Sequence, residues 1–108
     1  MRFIIIDSYY PEALAAFYRR QPDAALLPYD AQRRWLMDQC HGTADYLELA
    51  LLALGHETTT VVANCQPLQR AWWADLGVRA GDWSQELQVG TVAEQVRAFQ
   101  PDYVIVQD

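Results

Sequence analysis

"FIIIDSYYPEA", residues 3–13, decides what kind of fold this chain takes. Phe3 to Ile6 is an unbroken apolar run, rich in β-branched side chains, and it lacks the alternation of a strand with one wet face. It predicts a central parallel strand buried on both faces, with Asp7 and Ser8 at its carboxyl end. Pro11 suits the first turn of a helix, and Glu12 complements the positive end of that helix. Leu14, Phe17 and Tyr18 then fall at i, i+3 and i+4 before Pro22 closes the element.

Outward from that strand and helix, the remaining elements alternate in the same way. Asp30 predicts the cap of a second helix, Ala31 to about His41, which presents Trp35 and Leu36 and stops at Gly42. Thr43 or Asp45 caps a third, "ADYLELALLAL" (44–54), which is so apolar that it is expected to be mostly buried, with Gly55 as its stop. "HETTTVVAN" (56–64) reads as a second strand, and its three threonines place it nearer a sheet edge. Asn64 and Pro67 open a fourth helix carrying Leu68, Trp72, Trp73 and Leu76, closed by Gly77. Residues 78–90 have no clear period and are read as loop. Thr91 and Glu94 form a capping box for a last helix with Val92, Val96 and Phe99 on its apolar face, and Pro101 ends it ahead of the third strand, Tyr103 to Val106.

Strands separated by helices imply right-handed crossovers and a sheet covered on both sides. The expected fold is therefore α/β: one three-layer, Rossmann-like domain spanning 1–108, with a short parallel sheet of about three strands. The first strand should lie between the other two.

Composition limits the function classes. Of 108 residues, 52% are hydrophobic and 20% charged, ordinary values for a folded chain that fills one modest core. All eight basic residues are Arg, and the net charge is −6, so no basic stripe for nucleic acid is expected. The longest apolar run, Leu49 to Leu54, cannot span a bilayer, and the N-terminus enters a strand directly; a cytoplasmic location is expected. Cys40 and Cys65 lack metal-ligand spacing, and His41 and His56 do not pair at helical spacing, so no metal site is expected.

In open α/β sheets ligands bind beyond the carboxyl ends of the strands. That rule nominates Asp7, Ser8, Tyr9 and Tyr10, then Asn64, then Gln107 and Asp108 as candidate binding residues. Ser8 and Asn64 would serve equally well as helix caps, and Asp7 as an acceptor for loop amides. The first loop contains no Gly, which excludes a dinucleotide fingerprint and a phosphate-cradling Walker loop there. No serine lies in a nucleophile elbow, and no His is expected near the three strand ends to act as a base. Arg19, Arg20, Arg33, Arg34, Arg70 and Arg97 fall on helices and Arg79 in the undefined loop, so no donor-phosphate site is expected, and no cofactor.

Three segments resemble one family. "HGTADYLELALLALGHE" (41–57), "VVANCQPLQRAWWADLG" (61–77) and "VAEQVRAFQPDYVIVQD" (92–108) are similar to the opening segments of bacterial glycosyltransferases of the GT-B type, with Asn64, Leu68-Gln69 and Trp72 as the most specific spacing. The resemblance implies the start of the N-terminal, acceptor-side half of a sugar-transfer enzyme. It further implies that an acceptor substrate meets Asp7, Ser8, Tyr9, Asn64, Gln107 and Asp108, that a C-terminal domain holds the nucleotide-sugar, and that this part is inactive alone. The other expectation is a free-standing interaction or small-ligand module. In either case an open third-strand edge, or the Trp72-Trp73 helix, would support a homodimer.

Overall fold

A computed structural model describes residues 1–107. The chain runs β1 (Arg2–Asp7), α1 (Pro11–Arg20), a 3-10 turn (Pro22–Leu26), α2 (Tyr29–Met37), α3 (Tyr46–Ala53), β2 (Glu57–Val62), α4 (Gln66–Asp75), α5 (Gln85–Phe99) and β3 (Tyr103–Val106). The three strands form one parallel sheet in the order β2-β1-β3, with Ile4 opposite both Thr59 and Val104. The apolar first strand is thus central and the threonine-rich one is at an edge, as its composition demands.

Consecutive strand residues point to opposite faces. Ile4 and Ile5 are both almost completely buried, so β1 is covered on both sides at its centre. The main core gathers Tyr9, Leu14, Leu36, Met37, Val62 and Leu68, drawn from the first loop, α1, α2, β2 and α4. At the amino end of the sheet, the Arg2 guanidinium lies 4.2 Å from the Phe99 ring centre and donates to the Phe99 carbonyl. The Arg2 amide is held by Asp102 at 2.8 Å, which ties β1 to the start of β3. No helix among the described residues is long and apolar enough to cross a membrane.

The structure corrects several local expectations. α2 stops at Met37, short of the expected His41, and the N-cap positions of α1 and α4 are Tyr10 and Cys65 rather than Ser8 and Asn64. Asp30 does not cap α2; Pro28 occupies the N-cap position and Asp30 sits inside the first turn, where its charge complements the helix dipole. α3 is not mostly buried. Its buried residue is Glu48, which accepts two hydrogen bonds from the Arg33 guanidinium of α2, while Tyr46, Leu49 and Leu52 face outward. Part of the expected 78–90 loop is helix, because Ser84 accepts from the Leu87 amide and starts α5 there. Thr91 consequently lies inside α5, where its hydroxyl donates back to the Leu87 carbonyl and accepts from the Trp73 indole.

α4 and α5 meet along a polar seam. Gln69 and Gln95 exchange two amide hydrogen bonds, both 2.8 Å, in a fully buried pair. The Trp73 to Thr91 bond lies four residues along on each helix, on the same faces. Trp72 and Trp73 are half-buried, edge to face with centres 5.0 Å apart, flanking this seam rather than standing free as a separate surface.

Candidate functional site

β1 ends at Asp7, and the chain must turn at once into α1, which Pro11 opens. The turn is clamped from below. The Asn64 side chain accepts from the Tyr9 amide at 3.0 Å and donates to the Tyr9 carbonyl at 2.6 Å, so one amide satisfies both polar groups of a single backbone residue. With its backbone fixed, Tyr9 turns its ring into the core, where the phenol donates to the Met37 sulfur. Tyr10, next in the chain, remains exposed.

Above this turn is a cleft of about 280 Å³ lined by Asp7, Ser8, Tyr9 and Tyr10, by His41 to Thr43 of the α2–α3 connection, and by Gln107 after β3. The Thr43 hydroxyl donates to the Gln107 side chain at 3.3 Å, which joins the two outer walls. The connection is held in an unusual backbone path. Cys40, Gly42 and Ala44 all have positive φ, at 54°, 59° and 45°. Two of these carry side chains, for which that region is costly, and Ala44 is nevertheless packed into the core. The path presents His41 with its ring centre 5.0 Å from Tyr9, 5.6 Å from Tyr10 and 5.9 Å from Phe17.

Among the described residues, the charged side chain lining the cleft is Asp7. Burial raises its carboxyl above the ordinary carboxylate range; the hydrogen bond from the Ser8 amide and the nearby His41 pull in the opposite direction without cancelling it. The Tyr9 phenol is held well above the usual tyrosine range, first by burial and then by the negative charge of Asp7. No Arg lines the cleft. A larger hollow of about 560 Å³ lies between the 3-10 turn and α4, with Ala25, Leu26, Leu27 and Pro28 on one wall and Gln66, Arg70 and Asp75 on the other. It lies away from the carboxyl ends of the strands, where ligands of open α/β sheets bind.

Of the residues nominated from the strand-end rule, Asp7, Ser8, Tyr9, Tyr10 and Gln107 come together around one opening. Asn64 does not line it; its amide is used by the Tyr9 backbone beneath, and its outer face borders a separate hollow between α1 and α4. Asp108 lies outside the described residues. The expectation that no His stands near the strand ends is overturned, since His41 lines the cleft with Gly42 and Thr43; none of the three was nominated, because they follow a helix rather than a strand. Element parity would have found them. With three helices between two parallel strands, the second must run alongside the strands, so the loop after it returns to their carboxyl ends.

Among the described residues no group of three or more His, Cys, Asp or Glu side chains is placed to hold a metal ion. Comparison with protein-family models, with curated proteins and with solved structures gave no match, so the chain is assigned to an α/β fold with a three-stranded parallel sheet and to no family.

Proposed function

We propose that this chain is the acceptor-side domain of a sugar-transfer enzyme of the GT-B type, inactive without a partner domain that holds the nucleotide-sugar. The sequence resemblance supplies the class, and one observation carries it further: the cleft at the strand ends is polar and aromatic but has no Arg in its wall. A nucleotide-sugar brings a diphosphate, which is ordinarily met by cationic side chains or by a glycine-rich turn at a helix N-terminus. A domain that receives only the acceptor needs neither.

The reading makes a direct demand on the isolated chain. Calorimetry with UDP, GDP and TDP and their sugar conjugates should give no heat of tight binding, and micromolar affinity for any of them would remove the division into two halves. The reading frame downstream of Asp108 tests the same point. Several hundred further codons with a second strand–helix alternation agree with it; an immediate stop codon favours instead a small self-associating α/β module. That second reading draws support from the apolar side chains exposed on α3 and β3, including Leu49, Leu52, Val104 and Val106.

A further inference from the structure

We infer that the strand-end cleft binds a neutral saccharide, with a pair of hydroxyls on the Asp7 carboxylate and an apolar sugar face against Tyr10 and His41. The inference rests on the acceptor-side reading above and names the chemistry of the acceptor. An ionised carboxylate only accepts hydrogen bonds, and its two oxygens suit two neighbouring O–H donors. One Asp7 oxygen is already engaged by the Ser8 amide, which fixes the group's orientation. Around it, Ser8, Thr43 and Gln107 offer two hydroxyls and an amide, groups that both donate and accept and so match the mixed demands of a polyol.

Tyr10 and His41 provide the flat surface. Their ring centres are 5.6 Å apart at an interplanar angle of 77°, so one edge abuts the other ring and leaves a face open. Tyr10 is 73% exposed, between Tyr9, whose backbone Asn64 holds, and Pro11, which opens α1. An aromatic side chain held in the open beside a buried carboxylate is placed for the C–H face of a pyranose. A phosphate or carboxylate ligand finds the reverse of what it needs. The cleft's fixed charge is negative, and the whole chain carries a net −6, so anions are repelled on approach as well as on contact.

The test is a titration of the ¹⁵N-labelled chain by NMR with methyl glucoside, methyl mannoside, methyl galactoside and a neutral disaccharide, and separately with inorganic phosphate and with UDP. At least one glycoside should shift the amides of Ser8, Tyr10, Gly42, Thr43 and Gln107 saturably. Tyr10→Ala, at an exposed position that does not threaten folding, should weaken that glycoside about tenfold, and Asp7→Asn, which keeps the Ser8 acceptor, by a similar factor. Saturation by none of the glycosides, or tighter binding of phosphate at the same amides, overturns the inference, as does Tyr10→Ala binding as tightly as the parent. The UDP arm separates the two ideas: glycoside binding together with tight UDP binding keeps the saccharide site and removes the two-domain reading. Absence of both removes the saccharide site alone.

Discussion

Thr60 is 1% exposed at the middle of β2, and its hydroxyl has no hydrogen-bond partner among the described residues. A buried hydroxyl without a partner costs free energy that a methyl group of the same shape would not. Thr60→Val should therefore stabilise the fold by about 1 kcal/mol, seen as a higher urea midpoint at unchanged slope. Asp7 behaves in a related way with a pH signature. Because burial raises its folded-state pKa above the unfolded value of 3.8, the ionised form is penalised in the folded chain. The penalty is fully present above the folded-state pKa and disappears as pH falls through it toward the unfolded value. Asp7→Asn should thus be more stable than the parent at pH 7, with the difference shrinking on acidification; a gap that widens toward acid would contradict this. A residue that costs stability yet lines the cleft is what a binding role produces. At this scale the sequence was informative where a residue's position along a strand decides its place, as for Asp7 and Gln107. It misassigned Asn64, read as a binding residue or a helix cap, because its clamp on Tyr9 joins residues 55 apart in the chain.

At the scale of elements, the seam between α4 and α5 depends on two polar pairs rather than on an apolar stripe. The Gln69–Gln95 exchange is reciprocal, each buried amide donating to the oxygen of the other. Replacing Gln69 by Leu strands the Gln95 amide and should cost about 2 kcal/mol, whereas replacing both by Leu should recover most of that loss. Urea denaturation of the two singles and the double gives the coupling energy, and simple additivity would show that the pair is not a unit. The same seam explains why α5 was misread. Thr91 and Glu94 have capping-box spacing, but Ser84 lies seven residues earlier and caps the helix first, leaving Thr91 to bond the Trp73 indole. α3 was misread for a different reason. Its apolar residues lie on every side, so periodicity cannot say which face turns inward, and the Arg33–Glu48 ion pair with its 2.9 Å contact turns the glutamate side in. Strand order, by contrast, was legible, because an all-apolar strand and a threonine-rich one have different needs for cover.

For the whole molecule, that inversion of α3 and the thin cover of β3 leave apolar surface in water. Tyr103, Val104 and Val106 are 51%, 48% and 69% exposed, and the backbone edge of β3 away from β1 has no strand beside it among the described residues. An uncharged edge of this kind offers unpaired amides and carbonyls together with apolar side chains, and it lacks the lysines or prolines that usually discourage pairing. The Trp72-Trp73 helix is the weaker candidate, since the Trp73 indole is engaged by Thr91 and both rings are half-buried. The isolated chain should accordingly form a homodimer in which two β3 edges meet across a two-fold axis, which makes the new pair antiparallel. Light scattering at high micromolar concentration should report twice the chain mass. Val104→Lys, which sets a like charge on each edge, should return the chain to a monomer without loss of its circular dichroism, while Trp72→Ala should leave the dimer intact. A parent that remains monomeric at that concentration refutes the pairing, and a dimer lost with Trp72→Ala but kept with Val104→Lys would move the contact to the tryptophan helix.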